Sequence, residues 1–468
     1  MPHRLTLAEM SAGLRAKTLS PIELVDAHLA QIERLNPTLN AFVTVLAEEA
    51  RAAAREAEGR QMRGELRGPL DGIPVTVKDS FDMAGLKTHC GSRFLGLSPA
   101  AEDSVSVARL RKTGAIPLGK TNCPEFLANY ETDNFVTGRT NSAWDPERTP
   151  GGSSGGEAAA ISAFCSAGGI GSDGGGSIRV PAHFSGIAGL KPTPGRCPAA
   201  GHVPPINHPG GLLGVGGPMA RDVAAVRALF EVLAGHDTDD PFSAPVPVRK
   251  IEADGIRIGV MEQFYKVPVQ PAIRAAVRKA GGTLSGLGFH VEQFEPAGIE
   301  RAPNLWWLFF GILPAPFTRE LIAGREDEVH FTGIEFYRQA IQEPQPTAKE
   351  LVQSLALRDR LRGGLLRQMR EVPVLLLPVC GTTAFRHRQR RYATPEKEIS
   401  LFEAMMPSTP FNLFGMPGLA VPFGQDENGL PIGVQLVGRP WEEELLLEIG
   451  VRLEEARGAF PSPPGVRE

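Results

Sequence analysis

The chain has 468 residues, of which 49 are basic and 53 acidic, giving a net charge of −4 and a pI near 6.3. This near balance argues against a nucleic-acid or membrane-surface binder. A composition of 42% hydrophobic and 22% charged residues allows a large core and excludes global disorder. The cysteines form no C-x-x-C pair, which disfavours disulfides or a zinc site. No apolar run has signal-peptide or membrane-spanning length, so the sequence predicts a cytoplasmic protein without a membrane span.

Helices and strands are predicted to alternate along the chain. Residues 6–58 are mainly helical, with S/T-x-x-E capping boxes that begin at Thr6 and Ser20. Gly59 is expected to end the last of these helices. The other predicted elements are strands 41–45, 73–77, 115–118, 256–260, 290–294, 419–422 and 432–437, and helices 103–113, 155–167, 222–233, 270–280 and 443–455. Such alternation is typical of an α/β fold with a largely buried sheet.

One large domain is predicted for residues 1–460, because the sequence contains no internal repeat. The Pro-rich stretch DDPFSAPVPV gives residues 239–250 the composition of a linker excursion within this domain. The Pro/Gly-rich residues 461–468 are expected to form a loose C-terminal tail.

Two nucleotide-binding patterns occur but are rejected. Residues 114–121 match G-x-x-x-x-G-K-[ST], yet a P-loop needs a pliable turn and the intervening Ala-Ile-Pro-Leu is itself a strand. Residues 169–174 match G-x-G-x-x-G, yet a dinucleotide site needs an acidic residue about 20 positions later and none occurs before Asp222. We therefore expect no nucleotide cofactor.

Residues 151–155 match G-x-S-x-G, the nucleophile elbow of α/β-hydrolases. An elbow follows directly after a strand, whereas the preceding residues 142–150 form a polar, proline-bounded loop. It also needs a downstream acid followed by a histidine, and Asp222 with His236 keeps this alternative open.

Two glycine-rich serine turns lie between residues 149 and 179, separated by a helix of small residues. Glycines allow several backbone N–H groups to point at one place, and a helix N-terminus adds positive potential. The N–H groups of Gly174, Gly175, Gly176 and Ser177 could thus form an oxyanion hole for acyl transfer beside the Ser177 hydroxyl.

A serine nucleophile needs a base, and no histidine is suitably placed in the sequence. A lysine can act as the base if burial lowers its pKa enough to keep it neutral. Lys78 follows the apolar strand 73–77, where a buried amine would be found. The alternative is that Lys78 is a surface charge paired with Asp79.

Several separated segments together resemble the amidase signature family. They are GIPVTVKD (72–79), KTNCPEF (120–126), RTPGGSSGGEAAA (148–160), GIGSDGGGSIRVPAHFSGIAGLKPT (169–193), FNLFGMPGLAVPFG (411–424) and GLPIGVQLVGRPWEEELLL (429–447). Their order and spacing agree with the family over nearly the whole chain. The resemblance implies an α/β amidase signature fold, in which many helices surround one large, mixed, mostly buried β-sheet. It implies a catalytic core at about residues 65–200 and a substrate-cavity region at about 300–345.

The resemblance also implies a Ser–Ser–Lys triad that hydrolyses amides. Ser177 corresponds to the nucleophile and Lys78 to the general base. Ser153 corresponds to the bridging serine, whose preceding peptide bond is typically cis. The bridging hydroxyl would relay a proton from the nucleophile to the neutral lysine, and no metal or other cofactor is implied.

Neighbouring residues have supporting roles by the same resemblance. Ser154 is expected to hydrogen-bond within the triad. Asp173 and Arg179 are expected to brace the loop as a structural ion pair. The backbone carbonyl of Leu127 matches the family position that helps to hold the amide nitrogen.

Aromatic residues occur in the segment that contributes to the acyl cavity in the family. Trp306, Trp307 and Phe310 would give this cavity an aromatic lining, which favours a hydrophobic or aryl acyl group. These rings could equally belong to an ordinary core or to a homodimer contact, and the sequence leaves these alternatives open.

The leading hypothesis is a stand-alone amidase that acts on a small-molecule amide. The alternative is the glutamine-hydrolysing A subunit of a tRNA-dependent amidotransferase, which works only within a complex. No acid–arginine set for glutamine is recognisable around residues 398–411. A third hypothesis is a binding protein that retains the triad without catalysis.

Overall fold

The computed structural model describes residues 1–206 and 213–466, whose strands form an 11-stranded sheet and a two-stranded sheet. The strands of the large sheet are β1 Phe42–Val45, β2 Pro74–Lys78, β3 Ile116–Thr121, β4 Gly168–Asp173, β5 Ala188–Lys191, β6 Val215–Ala220, β7 Arg257–Val260, β8 His290–Gln293, β9 Val374–Pro378, β12 Gly418–Gln425 and β13 Pro431–Val437. The small sheet pairs β10 Arg391–Ala393 with β11 Glu398–Ser400. The predicted α/β fold with one large mixed sheet is confirmed.

The order of the large sheet is β1-β3-β2-β4-β6-β5-β12-β13-β9-β7-β8. Strand β2 pairs in parallel with both β3 and β4, whereas β4 and β6 are antiparallel. Carboxyl ends of parallel strands lie at the same edge of a sheet. Lys78 at the end of β2 and Asp173 at the end of β4 are therefore brought to one edge.

Helices surround the sheet. They are α1 Leu7–Arg15, α2 Pro21–Leu39, α3 Ala47–Arg63, α4 Val105–Lys112, α5 Gly155–Ser162, α6 Arg179–Ser185, α7 Val223–Leu233, α8 Pro271–Gly286, α9 Ala302–Trp307, α10 Ala315–Ile322, α11 Phe331–Gln342, α12 Ala348–Gln368, α13 Leu401–Met405, α14 Thr409–Leu413 and α15 Glu443–Arg457. The capping boxes predicted at Thr6 and Ser20 are present. Helix α3 does not end at Gly59, as predicted, because its Ala-rich sequence outweighs a cost of about 1 kcal/mol for one interior glycine. It ends at Gly64, whose φ of 74° is left-handed.

The structure separates the misleading motifs from the real turns. Gly119, Lys120 and Thr121 lie inside strand β3, so the P-loop pattern is a strand. The G-x-G-x-x-G pattern lies almost entirely in strand β4. Both rejections are confirmed.

The alternative of a nucleophile elbow with Asp222 and His236 is wrong. No strand lies directly before residues 151–155, since the described residues 142–150 form a loop. The Asp222 carboxylate accepts the N–H of Ala225 at 2.7 Å and caps helix α7. His236 Nδ1 lies 2.9 Å from Ser243 Oγ. Asp222 and His236 are thus bound by residues close to them in the chain, and neither forms a hydrogen bond with the serine turns.

The predicted linker excursion packs against the segment at residues 196–199. Asp240 is buried and accepts the N–H of Ala199 at 2.8 Å, and Arg196 donates to the carbonyl of Val246.

The sequence predicts a loose C-terminal tail at residues 461–468, but Val466 is buried and its carbonyl accepts a hydrogen bond from Arg4, so this part of the tail is packed. Residues 467–468 lie outside the described residues.

Two features are absent from residues 1–206 and 213–466. No helix there is both long and apolar enough to cross a membrane. The same ranges hold no group of three or more His, Cys, Asp or Glu side chains placed to bind a metal ion.

Candidate active site

Lys78 ends strand β2 with a side chain that is 0% exposed. Its Nζ lies 2.7 Å from Ser153 Oγ and 3.0 Å from Ser172 Oγ. Burial takes water away from the ammonium form and lowers the pKa of Lys78 to about 8. The alternative of a surface lysine paired with Asp79 is wrong, because Asp79 pairs with Lys120 at 2.8 Å inside the protein.

Two glycines shape the turn that carries Ser153. Gly151 has a φ of 93°, a left-handed conformation that favours glycine. A Cβ on Gly152 would lie 2.5 Å from the carbonyl oxygen of Asn129, so only glycine allows this close approach. The two glycines thus let the turn bring the Ser153 hydroxyl to Lys78. The Gly152–Ser153 peptide bond is cis, as the family resemblance implies.

Ser177 lies in the second glycine turn, between β4 and α6. The Ser154 N–H donates to the carbonyl of Ser177 at 3.2 Å and joins the two turns. The Ser154 hydroxyl donates to the carbonyl of Ser172 at 3.2 Å, which ties the first turn to β4. Ser153, Ser172 and Ser177 all line one cavity. The structure therefore brings the predicted nucleophile, bridging serine and base to one place.

A buried ion pair braces the second turn, as predicted. Arg179 Nε lies 3.0 Å from Asp173 Oδ2. Asn412 Nδ2 donates to Asp173 Oδ1 at 2.9 Å. Burial alone would raise the pKa of Asp173, but the Arg179 guanidinium holds it well below its usual range. The carboxylate is therefore ionised and structural.

The amides near Ser177 are not equivalent, which corrects one prediction. The Gly176 N–H donates to Asp173 Oδ1 at 2.7 Å, so this amide already has a charged acceptor. The N–H groups of Gly174, Gly175 and Ser177 donate to no acceptor within the described part of the chain. The candidate oxyanion hole therefore contains these three donors and excludes Gly176.

Two side chains orient this turn through its carbonyl groups. Trp306 Nε1 donates to the carbonyl of Gly174 at 2.8 Å, and the Tyr130 hydroxyl donates to that of Gly175 at 2.7 Å. In a trans peptide the carbonyl and the following N–H point in opposite directions. Because the Gly174 carbonyl points toward Trp306, the Gly175 N–H points away from Trp306.

The cavity has a volume of about 330 Å³ and a mainly apolar wall. Leu127 and Phe310 line it, as predicted. Trp306 and Trp307 do not, which corrects the prediction. Trp306 stacks behind Phe310, with ring centroids 4.7 Å apart. The wall also includes Leu95, Phe126, Ala128, Pro204, Ile206, Leu213, Phe317, Leu321, Phe336, Tyr337 and Ala340.

Three residues that contact the site are not among those predicted from the sequence. Ser172 lies beside Asp173 at the end of a parallel strand, and this position could have indicated it. Tyr130 and Asn412 reach the second turn from distant segments. No local pattern marks these two residues, because their role depends on the tertiary fold.

The chain matches known proteins over most of its length. The family model described as Amidase matches residues 23–447. The chain is 35% identical to the A subunit of the glutamyl-tRNA(Gln) amidotransferase from Roseiflexus sp. (strain RS-1), over 96% of this chain and 95% of that protein. It is also similar to a solved structure of a vestigial protein complex that reveals the evolutionary origins of an s-triazine catabolic enzyme, with a TM-score of 0.89 and 29% identity, covering 96% of this chain and 98% of that chain.

A further solved structure, a bacterial aryl acylamidase of the amidase signature family, has a TM-score of 0.86 and 26% identity, covering 97% of this chain and 96% of that chain. Fold and site together define a hydrolase that acts on amide C–N bonds. The chain belongs to the amidase signature family.

Proposed function

We propose that Ser177 is the nucleophile, Ser153 the proton relay and Lys78 the general base. The observation that carries this proposal is the buried Lys78 amine, 2.7 Å from the Ser153 hydroxyl in the wall of the Ser177 cavity. The Ser177 oxygen attacks the amide carbon while its proton moves to Ser153. The Ser153 proton moves at the same time to neutral Lys78.

The tetrahedral intermediate then collapses and the C–N bond breaks. The Lys78 ammonium returns its proton through Ser153 to the leaving nitrogen, which departs as an amine or ammonia. The acyl group stays on Ser177 until water, deprotonated by the same relay, releases the carboxylic acid. The N–H groups of Gly174, Gly175 and Ser177 stabilise the oxyanion. The Leu127 carbonyl holds the amide nitrogen, in line with its place in the cavity wall.

The substrate we propose is an amide with a hydrophobic or aryl acyl group. Among the described lining residues, the only acidic or basic side chains are Asp173 and His202. Arg179 already neutralises Asp173. Burial lowers the pKa of His202 to about 3, so this ring is neutral. An uncharged, mainly apolar wall favours an uncharged apolar acyl group.

The similarity to the A subunits of glutamyl-tRNA(Gln) amidotransferases favours a second candidate, glutamine hydrolysis within a complex. Free glutamine carries an ammonium and a carboxylate group. Charges taken from water into a cavity need charged or strongly hydrogen-bonding partners. The described lining offers no free ion to either group, which is why we place this candidate second.

A panel of amides on the isolated protein separates the two candidates. We expect kcat/KM for aryl and medium-chain acyl amides to exceed that for glutamine by at least about 100-fold, because only the apolar groups fit this wall. A fluorophosphonate probe should label Ser177, with Ser177→Ala as the control. Glutamine as the best substrate would overturn the acyl preference, and an unlabelled Ser177 would overturn the nucleophile.

Phe317 offers a second test of the acyl preference. Its ring lines the cavity and is 75% exposed, so its removal should not damage the fold. We expect Phe317→Ser to lower kcat/KM for bulky acyl amides by about 3- to 10-fold and to leave acetyl amides unchanged. Leu97→Ser is the matched control, since Leu97 is equally exposed but does not line the cavity. Equal losses for both acyl sizes would contradict the assignment.

We also propose that residues 1–460 act as one catalytic domain. Strand β6 precedes the excursion at residues 239–250 and β7 follows it, yet both belong to the same sheet. Cutting the chain at this excursion would separate hydrogen-bonded strands, so neither half is expected to be active alone.

A further inference from the structure

Glu157 is a buried carboxylate next to the proposed base. It lies in the first turn of helix α5, and its side chain is 0% exposed. Thr76 Oγ1 donates to Glu157 Oε1 at 2.5 Å, and Thr121 Oγ1 donates to Oε2 at 2.7 Å. Thr76 lies two residues before Lys78, on the same face of β2. Thr121 is the partner of Lys78 in the β2–β3 register. Both hydroxyls that hold the carboxylate therefore flank the lysine.

Glu157 differs from the other buried carboxylates near Lys78. Asp79 forms an ion pair with Lys120, and Asp173 forms one with Arg179. Glu157 contacts hydroxyl groups, and no ammonium or guanidinium lies within ion-pair distance of it among the described residues. Above its pKa of about 7, Glu157 therefore carries a negative charge that acts on Lys78 through the protein interior, where charges are weakly screened.

Two thiols and one imidazole near Lys78 carry no charge. Burial raises the pKa values of the Cys90 and Cys123 thiols, which stay protonated, and lowers that of His202 to about 3. Thr76 also lies 3.0 Å from the neutral Ser166 hydroxyl. Among the described carboxylates near Lys78, Glu157 is thus the one without a cationic partner, whereas Asp79 and Asp173 are paired.

We propose that Glu157 is a positioning residue whose carboxylate balances the ammonium that forms on Lys78 when Ser177 is acylated. This inference rests on the proposed function of Lys78 as the base. The carboxylate acts without touching the substrate: it stabilises the ammonium form of Lys78 while this residue holds the proton taken from Ser177, until the proton passes on to the leaving nitrogen.

The electrostatics of the pair support this role. Burial raises the pKa of Glu157 to about 7, and the positive charge of Lys78 opposes that rise. The pKa of Lys78 lies near 8, lowered by burial; among the carboxylates that raise it again, Asp173 contributes more and Glu157 adds to it. The two groups therefore titrate in overlapping ranges and influence each other.

The test is Glu157→Gln, read by the pH dependence of Ser177 labelling with a fluorophosphonate and of amide hydrolysis. Removing the negative charge lowers the pKa of Lys78, so the neutral amine persists to lower pH. We expect the acid limb of both profiles to move down by roughly one pH unit, with a lower kcat at the optimum. A merely structural role would lower the rate without moving the limb.

Three further variants keep the test decisive. Glu157→Asp retains the negative charge, so the acid limb of its pH profiles should lie at the wild-type position. Glu454→Gln is the matched control, since Glu454 is also a buried carboxylate with its pKa raised to about 7, but it binds the Val223 N–H and forms no hydrogen bond with Thr76, Thr121 or Lys78. The acid limb of the pH profiles of Glu454→Gln should not move. If Glu157→Gln fails to fold, Thr121→Val removes one donor from the carboxylate and should shift the limb in the same direction.

The outcomes separate this inference from the proposed function. An unlabelled wild-type Ser177 would overturn the proposed function itself. A labelled wild type together with a folded Glu157→Gln variant whose acid limb is unchanged would overturn the role of Glu157 alone.

Discussion

Lys78→Ala is expected to slow the acylation of Ser177 by about 10³- to 10⁴-fold. The physical reason is that no other base lies within reach of the Ser153 hydroxyl in the described structure, where Lys78 Nζ is 2.7 Å away. The neutral amine is the competent form, so the wild-type rate should rise as the pH increases through about 8. This rise in rate near pH 8 should be absent in the Lys78→Ala variant. Labelling of Ser177 and single-turnover acylation, both followed across pH, measure the effect.

The control for this prediction separates lost chemistry from lost packing. Alanine leaves a cavity beside the serine turns, whereas Lys78→Met fills most of the same space without a nitrogen. Both variants should lose activity to a similar extent, while the methionine variant should unfold at a temperature closer to that of the wild type. Near-normal turnover in either variant would refute the assignment of the base.

The two glycine turns and a candidate buried lysine could be predicted from local sequence, whereas the bridging role of Ser153 followed only from the family resemblance. The motif GGSSGG shows glycine where Gly151 needs a positive φ, a local requirement, whereas Gly152 leaves no room for a Cβ because of a tertiary contact with the Asn129 carbonyl oxygen. A lysine after the apolar run IPVTV is likewise a local signal of burial. The parallel pairing of β2 and β4 then explains why these segments meet.

Other features depend on tertiary contacts that the sequence does not reveal. Strands β5 and β6 are not predicted, because AGLK and VGGPMA contain glycine and proline in place of β-branched residues. Trp306 is predicted to line the cavity, yet it lies behind Phe310 and holds the Gly174 carbonyl. Which face of an aromatic segment meets the cavity is decided by packing, so composition alone could not distinguish a wall from its support.

The second large effect concerns stability and comes from the Asp173–Arg179 pair. Both side chains are 0–1% exposed, so neither charge has access to water. Arg179 also donates to the carbonyl of Ser408 at 3.1 Å and to the amide oxygen of Gln435 at 3.1 Å, which links the serine turn to the C-terminal strands. Removing one partner of a buried pair costs far more than the pair contributes, because the remaining charge stays unpaired in the interior.

Arg179→Ala is therefore expected to lower the free energy of unfolding by about 3–5 kcal/mol, measured by urea denaturation at pH 7. The pKa of Asp173 is lowered in the folded wild type, so the ionised carboxylate stabilises the fold at pH values above the pKa of an unfolded aspartate, near 3.9. The difference in stability between wild type and variant should therefore shrink as the pH falls below that value. Adding Asp173→Asn removes the unpaired charge and should recover part of the loss. Arg325→Ala, which breaks a solvent-exposed pair with Glu328, should leave the midpoint unchanged. If Arg179→Ala unfolded at the wild-type midpoint, the brace would not be structural.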